Sequence, residues 1–191
     1  KPSMLDEPLV PVIPDELKNP IFPNLATSSS SNNQAGAAIW EDEDGPAIRL
    51  GYRDSEGTWQ QTQSFIRNNY IRESSISMNA DGEALAIWSK RDAPGIEIAY
   101  HGAGNEAWNT PVLISETSNQ SAVTQRSRAI INDGGEAAAI WLSKADPESD
   151  VQLIFKSRST EGVWSKSLVL RASRLIEMPA LAFNNNGDIL V

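Results

Sequence analysis

The sequence predicts an all-β fold, namely about three and a half β-propeller blades in a ring that this chain leaves incomplete. Two observations carry the prediction: a repeat of about fifty residues with two tryptophans per unit, and short segments of strictly alternating apolar residues. No segment has convincing helical periodicity. Tandem four-stranded units of this length are typical of propeller blades, which stack around an axis and bury one another's faces.

The repeat is clearest at a motif that ends in Ala-Ile-Trp. Residues 79–88 (NADGEALAIW) and 132–141 (NDGGEAAAIW) are identical at seven of ten positions, and residues 35–40 (AGAAIW) share the end of the motif. A second tryptophan follows the motif tryptophan 19, 20 or 23 residues later, giving the pairs Trp40 and Trp59, Trp88 and Trp108, and Trp141 and Trp164. Since they recur at the same place in every unit, we interpret these indoles as blade core rather than as sugar-stacking surfaces.

Each unit divides into four short strands. Between the paired tryptophans the apolar residues alternate, as at Ile96, Ile98 and Tyr100, and a period of two indicates a strand. The predicted strands are roughly 73–79, 83–90, 96–102 and 107–115 in the second unit, and 127–132, 135–143, 150–158 and 163–170 in the third. A β-sandwich is the alternative, but it has no reason to repeat tryptophans at a blade-sized interval.

The units define the expected organisation of the chain. We expect a Pro-rich N-terminal extension at 1–23, blade 1 at 24–72, blade 2 at 73–125, blade 3 at 126–173 and the start of blade 4 at 174–191. An open ring exposes strand edges and an apolar face, so another chain or a missing segment is expected to complete it. Closure by the first 23 residues is the alternative, although prolines there disfavour a strand.

Composition excludes several classes of protein. A net charge of −9 and a pI near 4.6 exclude generic nucleic-acid binding, which needs positive charge to displace counterions. The chain has no cysteine, a single histidine and no apolar run of membrane-spanning length. Because it begins with Lys1, we expect that an upstream segment was removed, as in a secreted, periplasmic or cell-surface protein, although an artificial start fits equally well.

The turns before the second tryptophans carry a resemblance to a known family. They read YRDSEGTW at 52–59, HGAGNEAW at 101–108 and SRSTEGVW at 157–164. These stretches resemble the Asp-box repeats of sialidase-like β-propellers, and the resemblance covers about residues 24–191. The first keeps Asp54, Thr58 and Trp59 with its glycine shifted to Gly57, whereas the other two are degenerate boxes without the aspartate. The resemblance implies the fold, which many different activities share.

Arginines recur between the predicted blades of this acidic chain, at Arg67, Arg72, Arg126, Arg128, Arg171 and Arg174. These segments lead into the inner strands, so their guanidinium groups are expected on the loop-bearing face near the axis. The planar fork of arginine suits carboxylate, sulfate or phosphate, which predicts an anion or glycan site. Solvated arginines that offset local acidity are the alternative.

Acidic residues alternate in two predicted loops, at Asp42 and Asp44 and at Asp146, Glu148 and Asp150. Oxygen ligands at every second position suit calcium, with solvated acidic loops as the alternative. The sequence predicts no other cofactor. His101 is interpreted as a turn residue rather than a catalytic base, because no nucleophile motif lies nearby.

Two classes of function follow. The first is a non-catalytic recognition module that binds a glycan or a protein on the loop-bearing face. The alternative is part of a sialidase-like glycoside hydrolase or lyase whose catalytic residues lie outside this chain. The sequence favours the first, because the F-R-I-P-type motif of the enzymes in that family does not occur and the nearest stretch, Phe65-Ile66-Arg67, is out of order.

Overall fold

The fold is described for most of the chain. In a computed structural model of the protein, the described residues are 21–27, 35–41, 47–54, 56, 58–60, 63–66, 71–91, 95–105, 107–115, 123–146, 148–174 and 179–191. Over these ranges the chain is all-β, with four antiparallel sheets of two to four strands, none of them closed, and no helix. The ranges therefore contain no helix with the length and apolar character of a membrane span.

The four sheets follow one another along the chain. Sheet 1 contains β1 (Ile21–Thr27), β2 (Gly36–Glu41), β3 (Ala47–Arg53) and β4 (Gln63–Ile66). Sheet 2 contains β5 (Ile71–Met78), β6 (Ala84–Lys90), β7 (Ile96–His101) and β8 (Val112–Leu113). Sheet 3 contains β9 (Val123–Ile131), β10 (Ala137–Lys144), β11 (Val151–Arg158) and β12 (Leu168–Ser173), and sheet 4 is the hairpin of β13 (Ala182–Phe183) and β14 (Ile189–Leu190). In every sheet, strands that are consecutive in the chain are neighbours.

The strand boundaries differ from the predicted ones mainly in the first and last strand of a sheet. β9 begins at Val123 rather than 127, and the last strands begin at Val112 and Leu168 rather than at 107 and 163. The segments around Trp108 and Trp164 are instead extended connections, and Trp164 makes only an isolated bridge to Arg158. The alternation of apolar residues therefore predicted the bounds of the two middle strands of a sheet better than those of its first and last strands.

Two apolar clusters join the sheets face to face. Because side chains alternate between the faces of a strand, Ala84, Ala86 and Trp88 of β6 pack towards sheet 1, whereas Leu85 and Ile87 pack towards sheet 3. The first cluster includes residues of sheets 1 and 2, and the second includes residues of sheets 2 and 3. Successive four-stranded sheets thus bury the apolar side chains of their facing surfaces.

The motif tryptophans belong to this core. Trp40, Trp88 and Trp141 are at most 2% exposed, which confirms the interpretation that they are core residues. The indole nitrogen of Trp88 also donates a hydrogen bond of 3.0 Å to the carboxylate of Glu97 on β7. The aromatic ring is buried and its polar atom is paired, as such a ring requires in an interior.

Three equivalent turns, which we call the Asn turns, connect the first two strands of sheets 2, 3 and 4. They span residues 79–83, 132–136 and 184–188. In each turn the asparagine carbonyl accepts a hydrogen bond from the glycine three residues later, and the asparagine nitrogen donates to the carbonyl of the acidic residue that follows. Gly82 and Gly135 have φ of 87° and 78°, a region in which residues with a Cβ are strained.

The Asn turns also bind one another. The Asn79 amide donates to the Asn132 carbonyl at 3.0 Å, and the Asn132 amide donates to the Asn184 carbonyl at 3.4 Å. Sheets 2, 3 and 4 are thus joined in series at one end of their first hairpins.

Candidate functional site

The predicted arginine site does not assemble as a group. Arg171 lies in β12 and Arg174 follows it, whereas Arg126 and Arg128 lie in β9 at the opposite edge of the same sheet. Three strand spacings separate these edges, a distance of about 14 Å. The structure therefore does not bring Arg171 and Arg174 to the strand that carries the other two. Arg67 lies outside the described residues.

The arginines on the first strands of sheets 2 and 3 are bound to neighbouring protein groups. Arg126 forms a salt bridge of 3.2 Å with Glu73 of sheet 2, and its backbone nitrogen donates to the same carboxylate at 2.7 Å. Arg72 donates to the Arg91 carbonyl, and Arg128 donates to the Ser127 carbonyl. These guanidinium groups lie inside strands rather than in the loops before them, and they contribute to the contacts within and between the sheets.

The acidic loop of sheet 3 is organised around its own backbone. Asp146 accepts hydrogen bonds from the backbone nitrogens of Glu148 and Ser149 and from the Ser149 hydroxyl. These bonds, that of the hydroxyl first, lower the pKa of the Asp146 carboxyl. No three acidic or histidine side chains of the described residues come together as a metal-binding group, and thus Asp146, Glu148 and Asp150 do not form one. Asp42 and Asp44 lie outside the described residues.

His101 is an interior residue of the interface between sheets 1 and 2. Its ring is fully buried and stacks on Tyr52, with ring centroids 3.8 Å apart, and Trp108 packs edge-on against it at 5.3 Å. Neither ring nitrogen has a hydrogen-bond partner among the described residues. Burial lowers the pKa of His101 to about 4, and the Gly102 backbone partly opposes this shift. The side chain is therefore a neutral stacking partner at the end of β7, and the prediction that His101 is a turn residue was wrong.

The strand registers identify a position that differs among the sheets. In each sheet it is the residue paired with the position three before the motif tryptophan: Tyr52 pairs with Ala37, Tyr100 with Leu85, and Ser157 with Ala138. The next residue along the strand is Arg53, His101 or Arg158, respectively. Sheets 1 and 2 thus place a tyrosine where sheet 3 places a serine.

The two tyrosines fill the interface with the following sheet. The Tyr52 ring stacks on His101, and its hydroxyl donates to the Gly82 carbonyl at 3.0 Å. The Tyr100 ring lies under the Arg158 guanidinium, 4.4 Å from its centroid, and its hydroxyl donates to Glu83 Oε1 at 2.5 Å. Burial and then Glu83 raise the pKa of Tyr100 to about 12, and therefore this phenol stays protonated.

A groove lies where sheet 3 lacks the tyrosine. Its volume is about 440 Å³, and it lies between sheet 3 and the hairpin of sheet 4. The lining residues include Ser157 and Trp164, together with Phe183, Gly187 and Ile189 of the hairpin. Apolar walls with a few polar groups are typical of ligand sites, which makes this groove the candidate functional site.

Glu136 supplies the charge of this groove. It is equivalent to Glu83, because both are the acidic residues of Asn turns. Its Oε2 accepts a hydrogen bond of 3.0 Å from the Asn132 amide, as Glu83 Oε2 does from Asn79 at 2.7 Å. No described residue donates to Glu136 Oε1, the oxygen whose counterpart in Glu83 accepts the Tyr100 hydroxyl.

Comparisons with known protein families and with curated proteins find no match to this chain. The geometry of the groove therefore carries the functional argument. Sequence reasoning missed the groove, although its signal was present: Ser157 lies seven residues before Trp164, much as Tyr52 and Tyr100 lie seven and eight residues before Trp59 and Trp108.

Proposed function

We propose that this chain is a recognition module built from β-propeller blades, and that it binds its ligand without catalysis in the groove beside Ser157. The single observation that carries the proposal is the Ser157 position, where a serine replaces the tyrosine that fills the two equivalent interfaces. The location differs from the arginine-bearing face that the sequence predicted. A sialidase-like origin and an extracellular location stay predictions.

The arrangement of the sheets supports the propeller part of the proposal. Sheets 1, 2 and 3 have the same strand order, and successive sheets pack face to face. Contacts between equivalent positions recur at separations of 52 and 53 residues, as in the Asn turns and in the pair of Glu73 and Arg126. Sheets related by a regular step around an axis would produce this recurrence.

The charges of the groove support binding rather than hydrolysis. A glycoside hydrolase of the usual kind needs two carboxyl groups about 5 to 10 Å apart. Among the described residues that line the groove, Glu136 is the one carboxylate. A hydrolytic function would therefore require groups from elsewhere, whereas recognition needs only the groove.

The proposal is tested by filling the groove. Ser157→Tyr introduces the side chain that the equivalent interfaces contain, so the folded state should be at least as stable as the wild type. We expect this variant to lose binding to a ligand identified by screening a glycan array and a peptide panel. Gln152→Tyr is the matched control, because Gln152 is an exposed residue of the same strand and does not line the groove.

Thermal unfolding would establish that both variants are folded, and isothermal calorimetry would measure their affinities. Binding that is equally strong in the wild type and in Ser157→Tyr would contradict the proposal. Loss of binding in Gln152→Tyr as well would indicate a site outside the groove.

A further inference from the structure

We infer that the groove takes the side chain of a tyrosine presented by a protein partner. This inference rests on the proposed function and names its ligand. In the two equivalent interfaces, the chain's own tyrosines occupy the corresponding position. Tyr52 and Tyr100 show which neighbours a phenol ring has at that position.

The groove retains both kinds of hydrogen-bond acceptor that those phenols use. Tyr52 donates to the carbonyl of Gly82, and the equivalent glycine of sheet 4, Gly187, lines the groove. Tyr100 donates to the carboxylate of Glu83, and the equivalent Glu136 lines the groove with Oε1 unpaired among the described residues. A tyrosine from outside would therefore find an acceptor for its hydroxyl.

The walls of the groove suit an aromatic ring. Trp164, Phe183 and Ile189 line it, and aromatic pairs in offset or edge-to-face contact add to the free energy of burying the ring. Because Ser157 is smaller than the tyrosines at the equivalent positions, it leaves space for an aromatic ring. The groove thus combines apolar walls with acceptors, as an amphipathic phenol requires.

Two of the remaining hydroxyl groups and one nitrogen of Arg158 already have partners, which favours tyrosine over a sugar. Ser165 Oγ donates to the Lys166 carbonyl and accepts from Ser157 N, and Ser159 Oγ accepts from Val163 N. The Arg158 guanidinium covers Tyr100 and donates to the Gly135 carbonyl. A sugar presents several hydroxyls that need partners, whereas a phenol presents one.

The test uses two peptides, Gly-Gly-Tyr-Gly-Gly and Gly-Gly-Phe-Gly-Gly, titrated into the full chain and followed by two-dimensional amide NMR. We expect the tyrosine peptide to shift the Trp164 indole and the Gly187 amide. The phenylalanine peptide should bind at least about tenfold more weakly, because it leaves a charged acceptor unpaired. Ser157→Tyr should bind neither peptide.

A second pair of variants tests whether the Glu136 carboxylate accepts the hydrogen bond from the tyrosine hydroxyl. Glu136→Gln removes the charge from the groove and should bring the affinities for the two peptides to within about threefold of each other. Asp188→Asn is the matched control: Asp188 is the equivalent residue of the next Asn turn and does not line the groove. This control should keep the preference for tyrosine.

The outcomes separate the inference from the proposed function. Equal affinity of the wild type for the two peptides overturns the inference, whereas loss of both peptides in Ser157→Tyr keeps the groove as a binding site. Binding of a glycan such as an oligosaccharide from the array, with no binding of either peptide, also overturns the inference and leaves the proposed function standing. If no peptide and no glycan shifts the groove resonances, both fail.

Discussion

His101 shows how a single polar residue can set the pH dependence of an interface. The imidazole is fully buried between Tyr52 and Trp108, and both nitrogens lack partners among the described residues. Protonation of this ring would bury a positive charge away from water. The folded state therefore favours the neutral imidazole.

This environment predicts a loss of stability in mild acid. The pKa of His101 is about 4 in the folded state against about 6.5 when unfolded, so stability is full above pH 6.5 and falls as the pH approaches 4. The pKa difference corresponds to about 3 kcal/mol. His101→Phe keeps an aromatic ring and should flatten the curve between pH 6.5 and 4. Urea unfolding across that window measures the difference, and parallel curves for the two proteins would contradict it.

Trp88 and Trp141 allow the contribution of one hydrogen bond to be measured. Both are buried at equivalent positions, but Trp88 donates to Glu97, whereas the residue opposite Trp141 is Ile154. Trp88→Phe should lower the free energy of unfolding by about 1 to 2 kcal/mol more than Trp141→Phe, because it leaves a buried acceptor with one partner fewer. Lys90 also forms a salt bridge of 2.9 Å with Glu97. Urea titration of both variants tests the prediction, and equal losses would show that the other partners of Glu97 suffice.

The arginines and Ser157 also show why the candidate site was harder to predict than the fold. The arginines stood out in an acidic chain. Whether they can bind an anion, however, depends on which edge of a sheet carries them and on whether a carboxylate such as Glu73 lies beside them. The spacing of the arginines in the sequence shows neither the sheet edge nor the neighbouring carboxylate. Ser157 is an unremarkable residue by itself, and it lies 16 residues after its motif tryptophan whereas Tyr52 and Tyr100 lie 12 residues after theirs. Strand register established the alignment of Ser157 with the two tyrosines.

Among the elements, the Asn turns carry several polar contacts between sheets. Asn132 is buried; its amide donates to Glu136 and to the Asn184 carbonyl, and its side-chain oxygen accepts from the Glu136 nitrogen. The turns act both as hairpin connections and as links to the next sheet.

Removing the central asparagine should therefore cost more than removing the exposed one. Asn132→Ala loses three hydrogen bonds of a buried side chain, and we expect the free energy of unfolding to fall by about 2 to 3 kcal/mol. Asn184→Ala alters an exposed turn and should cost about 1 kcal/mol or less. Chemical unfolding of the two variants side by side gives the comparison, and a larger loss for Asn184→Ala would contradict it.

Elements with two buried faces were predicted well from the sequence, and edge elements less so. β6 and β10 coincide with the predicted strands to within two residues, because runs such as Ala-Ile-Trp have both faces buried. β8 is only two residues long, although nine were predicted. At an edge, pairing depends on one neighbour, and the apolar pattern does not show where that neighbour ends.

For the whole molecule, β12 at the outer edge of sheet 3 is an exposed apolar strand. In β12, Leu168, Val169 and Leu170 are 55%, 49% and 41% exposed, and the strand lies at the edge of its sheet. Unpaired backbone groups beside exposed apolar side chains are a template for association.

We expect Val169→Lys to reduce concentration-dependent association. The charge would disfavour a second strand at this edge, while the free energy of unfolding should change by less than about 0.5 kcal/mol because Val169 is half exposed. Thr160→Lys adds the same charge in an exposed turn and serves as the control. Light scattering over a concentration series reports association, and an equal reduction in both variants would attribute the effect to net charge instead.

The hydrogen bonds between the Asn turns also limit which insertions and deletions the chain can accept. Each turn donates to the next one at a separation of 52 or 53 residues. Duplicating or deleting a complete unit would preserve donor and acceptor at every junction, whereas adding one residue within a turn would misalign them. Gene duplication in whole-unit steps is therefore the route to growth that this architecture tolerates.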